Sequence, residues 1–197
     1  IFPNVYIKDT RKSSENDSLE DSKSESYVEV KNMVFFKDKE AIELTDEETK
    51  GVNFLRNKIK NATLTIECDG GYFTIETLES KMKLKSKLNI DQLNVNGNVG
   101  AEIVYYGCKD NLDNADVLKN ISKKAEKEVE SYITKAFNKS KKYNYDFLGL
   151  GNYIYKNNYK YFDFENKDWN KDGLNKLNLK YNIDVSLYKQ GNLRGDL

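Results

Sequence analysis

Histidine is absent from this 197-residue chain. With it go His-based general acid–base catalysis, Ser-His and Cys-His nucleophile pairs, and most zinc sites. Two cysteines, Cys68 and Cys108, are too few for the disulfide framework of a small secreted domain. Each ends a stretch that reads as a strand. Two buried free thiols are expected there, with a single bridge as the alternative. No apolar run approaches the ~18 residues that would cross a membrane. Lys+Arg and Asp+Glu both total 32, so no global field draws in nucleic acid or acidic lipid. The first residue is Ile1, and neither a signal peptide nor a lipid-attachment cysteine lies near it, so the chain reads as an excised fragment. What is missing therefore points to a globular piece without catalytic machinery.

What is present is enough to fill a core. Apolar residues make up 38% of the chain, sufficient for one ordinary domain or two small ones. Ile1–Lys8 is a short apolar run of strand character. Residues 9–26 are acidic and serine-rich with only Leu19 to bury, which reads as a mobile acidic loop, because such a segment cannot recover its ordering entropy. Tyr27–Phe36 and Ala41–Leu44 read as a hairpin around Lys37-Asp38-Lys39-Glu40. Thr45 stands three residues before Glu48, the capping-box spacing, and opens a helix expected over Asp46–Ile59. Gly51 inside that helix is unfavourable by about 1 kcal/mol against alanine, which implies close packing on a neighbour.

Strands follow. Ala62–Cys68 and Tyr72–Leu78 flank the turn Asp69-Gly70-Gly71. Lys81–Ile90 alternates Met82, Leu84, Leu88 and Ile90 against Lys81, Lys83, Lys85 and Lys87, one face buried and one solvated. Leu93–Tyr106 repeats the alternation, with bends or bulges expected at Gly97 and Gly100. From Ala115 to Lys142 the apolar residues form one stripe at period 3.6, a helix of about 42 Å capped by Asp113 or Asn114. The stripe is wider than a coiled-coil seam, so the helix should lie on a sheet. A short helix near Asn152–Lys160 and an alternating strand over Leu177–Leu187 complete the chain.

Three clusters invite a chemical reading. Asp168-Trp169-Asn170-Lys171-Asp172-Gly173 spells the first half of an EF-hand calcium loop, but position twelve is Leu179 where a bidentate glutamate belongs. A polar helix-to-strand turn explains the same residues. Glu43, Glu76, Glu79 and Glu102 are acids that could pair for glycoside hydrolysis, as in a cell-wall or cortex hydrolase, yet none stands in an aromatic-walled context. Gly149-Leu150-Gly151 follows a helix and lacks a third glycine, so it is no dinucleotide fingerprint.

The order of these elements resembles the C-terminal region of the Ger(x)C family, the C-subunit lipoproteins of nutrient-germinant receptors in endospore-forming bacteria. The likeness is carried by Val34-Phe35-Phe36-Lys37-Asp38-Lys39 with Leu44, Thr45, Glu48, Gly51 and Leu55. It continues in Val95-Asn96-Gly97-Asn98-Val99-Gly100-Ala101-Glu102-Ile103, the long helix, Asp146-Phe147-Leu148-Gly149-Leu150-Gly151, Trp169 and the last strand. Two departures stand out: Tyr155-Lys156-Asn157-Asn158-Tyr159, where the family often has a proline, and the half calcium loop. The resemblance implies an α+β fold of antiparallel sheets, with the long amphipathic helix packed on the sheet of a C-terminal domain, 92–197. A smaller mixed α+β domain, 1–91, precedes it. It further implies a full-length protein held by lipid at the outer surface of the inner spore membrane, acting there with the A and B receptor subunits. It brings no catalytic, cofactor-binding or metal residues. Direct binding of a small germinant is the alternative role.

Overall fold

The computed structural model of the chain describes residues 2–10, 25–86, 91–160, 162 and 168–189. Two units divide it, Ile1–Asp46 and Glu47–Leu197. The first is an antiparallel sheet in the order β1-β2-β3, with β1 at Phe2–Thr10, β2 at Glu25–Lys37 and β3 at Glu40–Glu43. β2 and β3 join across Asp38 and Lys39, whose φ angles of 50° and 72° both lie in the left-handed region. Two such residues in succession give the type I′ geometry, whose twist matches the strands it links. Without glycine the turn is strained by about 1 kcal/mol per residue. Of the segment expected as an acidic loop, Asp9 and Thr10 end β1, Glu25 and Ser26 begin β2, and 11–24 lies outside the described residues.

The second unit holds α1 (Asp46–Leu55, all but its first residue), β4 (Thr63–Cys68), β5 (Gly71–Ser86), β6 (Gln92–Tyr106), α2 (Ala115–Lys142), α3 (Leu150–Asn157) and β7 (Asn178–Lys189). The sheet order is β4-β5-β6-β7. The division expected after residue 91 falls between β5 and β6, which pair from Phe73↔Tyr106 to Ser86↔Leu93. The separate stretches 72–78 and 81–90 are one strand as far as Ser86. An irregularity between Thr77 and Glu79 turns Leu78 outward, while Leu88 and Ile90 lie outside the described residues.

Three strands are antiparallel, as expected, but β7 runs parallel to β6, Gln92↔Asn178 through Ile103↔Lys189, so this sheet is mixed. Parallel neighbours need a long crossover, and α2 and α3 supply it. The anticipated helix forms over all 28 residues of α2, with the Asn114 side chain accepting from the Asp116 amide. Its buried stripe, Ile121, Ala125, Val129, Tyr132 and Ile133, shares one core with Phe73, Ile75, Val95, Val99, Ile183 and Val185 of the sheet.

Local chemistry explains where expectation and structure part. α1 stops at Leu55 rather than Ile59 because Asn57 takes a left-handed φ of 54° and its side-chain amide bonds both the N–H and the C=O of Met82. Asn61 and Ala62 then exchange bonds with Thr77, so this segment guards the edge of β5 beyond β4. A Cβ on Gly51 would lie 2.1 Å from the Tyr132 carbonyl oxygen, so α1 and α2 touch backbone to backbone as its placement implied. Gly97 is not a bend. It pairs regularly between Met82 and Ile183, and a Cβ there would sit 2.2 Å from the Met82 sulfur.

Cys68 and Cys108 are joined, correcting the expectation of two free thiols. β4 and β6 flank opposite sides of β5, and their ends converge on its first residues, Cys68 facing Gly71 and Tyr106 facing Phe73. Sheet order, which is invisible in local sequence, brings the two sulfurs within bonding reach across a Cα separation of 5.7 Å.

Candidate functional site

Asp146 organises the most elaborate surface of the second unit. Its Oδ1 accepts from the amides of Gly149 (2.9 Å) and Leu150 (3.0 Å), and its Oδ2 from the Gly151 amide (2.6 Å) and the Trp169 indole Nε1 (2.9 Å). Its own N–H donates to Asn170 Oδ1 at 2.9 Å. One carboxylate thus satisfies three N–H groups at the start of α3, where a helix lacks internal acceptors and favours negative charge. Gly149 takes a φ of 78°, the left-handed region. Gly151 lets the indole approach, since a Cβ there would lie 2.4 Å from Trp169 Nε1. Phe147, Leu148 and Leu150 are buried beneath. The two glycines shape a helix start and an indole seat.

Upon this mount sits a row of rings. Trp169 lies 5.5 Å from Phe162, Phe162 lies 5.5 Å from Tyr155, and Tyr155 lies 5.2 Å from Tyr159, centroid to centroid. Tyr155 and Tyr159 are 44% and 55% exposed. The neighbouring Tyr153 hydroxyl donates to the Leu84 carbonyl, which ties α3 to β5. Contiguous aromatic rings at a surface supply large contact area with little side-chain entropy to lose, the usual property of interface anchors.

The residues singled out for calcium are distributed differently. Asp168 is the N-cap of the turn Trp169–Gly173, accepting from the Lys171 amide at 3.3 Å, and Asn170 is engaged by Asp146. No three acidic or cysteine side chains cluster around a point among the described residues. Of the four glutamates, Glu76 and Glu102 face each other as register partners and Glu79 stands opposite Gly100, while Glu43 belongs to β3 of the first unit. The first three share the sheet face turned away from α2, which is lined chiefly by polar residues. A groove of about 610 Å³ there is bordered by Glu79, Lys81, Asn98, Ser186 and Tyr188. A separate open groove of about 300 Å³ lies beside the Cys68–Cys108 bridge at the start of α2, among Asp69, Lys124 and Lys127.

Polar contacts also fasten the crossover. Lys141 donates to the carbonyls of Asn175 (3.1 Å) and Leu177 (2.6 Å) ahead of β7, and burial holds its pKa below the usual lysine range. Tyr181 and Thr134 share a hydroxyl–hydroxyl bond of 2.8 Å between β7 and α2. Burial, with the Glu130 charge adding to it, raises the Tyr181 pKa despite that bond.

The family described as spore germination B3/GerAC like, C-terminal, has a model that matches residues 31–191. Among solved structures, the crystal structure of the GerBC protein is similar, with a TM-score of 0.68 at 16% identity, over 82% of this chain and 52% of that one. The chain therefore spans about half the length of that protein, and likeness at such identity speaks for the fold. No curated protein sequence matches the chain.

Proposed function

The chain belongs to the spore germination B3/GerAC-like C-terminal family, and from that premise we propose that it serves in the C subunit of a nutrient-germinant receptor, working by docking and not by catalysis. In this reading the whole protein is held by lipid at the outer surface of the inner spore membrane. The second unit engages the A and B subunits through Tyr155, Tyr159, Phe162 and Trp169. The observation that carries the reading is that aromatic row, exposed at Tyr155 and Tyr159 and mounted on the Asp146 turn. A site that encloses a small ligand favours a concave apolar pocket. The grooves of about 610 and 300 Å³ lie open to solvent and enclose no chamber, which supports docking over germinant capture.

The test is capture of the chain by membranes containing the A and B subunits, beside a titration with germinant. Tyr155→Ala with Tyr159→Ala should reduce capture about tenfold or more, the loss of one interface anchor. Tyr72→Ala with Tyr105→Ala, which removes a stacked pair elsewhere on the surface, should not. Undiminished capture by a correctly folded Tyr155/Tyr159 variant would refute the assignment. Germinant binding without subunit capture would favour the alternative role.

A further inference from the structure

The sheet face turned away from α2 carries an arrangement that docking through α3 does not use. Lys81 and Lys83 on β5 stand opposite Asn98 and Asn96 on β6, and Asn96 stands beside Asn182 on β7. These side chains, with the backbone of Gly97, line a groove of about 260 Å³. It adjoins the larger groove bordered by Tyr188, the two sharing Lys81 and Asn98.

Two observations there point the same way. Lys81 and Lys83 are exposed at alternate positions of one strand, so their ammonium groups rise from the same face roughly 6.5–7 Å apart at their stems. Among the described residues neither meets a carboxylate at ion-pair distance. Like charges so placed repel, and a bound anion relieves them. Independently, Asn96 Nδ2 is buried and has no hydrogen-bond acceptor, in a protein fold where nearly every buried donor has one. A donor lacking an acceptor and two cations lacking an anion line the same groove.

We infer that this groove binds a small oxyanion, a molecule bearing carboxylate or phosphate with further oxygen acceptors. Lys81 and Lys83 supply the charge, Asn96 Nδ2 gains the acceptor it lacks, and the amides of Asn98 and Asn182 are placed to bond additional oxygens. The volume lies just below the usual range of small-molecule sites, which favours a compact molecule over an acidic protein segment. None of these residues belongs to the aromatic row, so the inference stands or falls apart from the docking role.

The experiment is amide chemical-shift mapping of the chain, with citrate and inorganic phosphate as separate probes and chloride at matched ionic strength as the reference. Saturable shifts confined to the segments around 81–83, 96–98 and 182 are expected from at least one oxyanion, and the one that saturates names the group recognised. Lys83→Gln should weaken that probe about tenfold, the value of one charge-assisted hydrogen bond. Asn96→Asp, which places a negative charge in the groove, should abolish binding while leaving the thermal midpoint within a few degrees. Shifts that follow ionic strength alike for all three salts would overturn the inference. So would saturable binding that Asn96→Asp leaves untouched, or binding by acidic peptides with none by either small probe.

Discussion

Replacing Asp146 by asparagine tests the seat of the aromatic row directly. The carboxylate accepts four hydrogen bonds, from three backbone amides and one indole. Asparagine keeps one oxygen, which still serves two of those donors. Its NH₂ group then points at the other two, so donors face donors on the side of Gly151 and Trp169. Hydrogen bonds to a charged group contribute about 1.5–3 kcal/mol each, and loss of an N-cap alone costs about 0.5–2 kcal/mol. Solvent reaches the site partly, which reduces the sum, and a net cost of about 3 kcal/mol is expected. For a chain of this size that lowers the thermal midpoint by roughly 6–12 °C. The chain has one tryptophan, and it is the indole in question, so fluorescence reads both the unfolding and the local environment. Asp146→Asn should shift emission to the red in the folded state and move the midpoint down, while Asp146→Ala should do both more strongly. An unshifted spectrum with an unchanged midpoint would refute the reasoning.

Gly51→Ala should cost about 3 kcal/mol or more by overpacking against the Tyr132 carbonyl, seen as a lowered denaturant midpoint. Lys39→Gly should stabilise by about 1 kcal/mol, since it relieves a left-handed φ and makes an Asp-Gly type I′ turn. Burial, and then the Glu126 charge, raise the Glu130 pKa above 4.5, with Lys127 opposing. The folded state thus keeps this proton to higher pH than the unfolded chain, and its contribution, complete below 4.5, fades as pH rises through the folded value. Glu130→Gln should therefore raise the melting temperature slightly at neutral pH, with the gain shrinking on acidification. Cys68→Ser with Cys108→Ser should cost about 4 kcal/mol by the loop-closure relation for a separation of 40 residues, and a reducing agent should reproduce that loss in the parent.

The extent of α2 was legible because 28 residues of one periodicity leave no competing register. The faces of β7 were legible for the same reason, Ile183 and Val185 buried and Asn178, Asp184 and Ser186 exposed. Its partner and direction were not, because a period of two says which side is apolar and nothing about the neighbouring strand. The Cys68–Cys108 bond was hidden likewise, since it depends on both strands flanking β5. The aromatic residues around α3 were visible as a composition, but their mount was missed. An aspartate three residues before a glycine at a helix start is the signal the sequence carries for it, and neither the dinucleotide pattern nor the family likeness of Asp146–Gly151 says what that carboxylate bonds.

The parallel seam between β6 and β7 bears on biosynthesis. Until the ribosome has delivered residue 178 and those after it, the strand running from Gln92 to Tyr106 has a bare flank along its whole length. Nascent chains stalled in that interval carry a long helix already able to form and a sheet still open to intruders. The danger of misassembly therefore lasts until β7 emerges, and a chain stopped just short of Asn178 would lose solubility by leaving the flank of β6 uncovered.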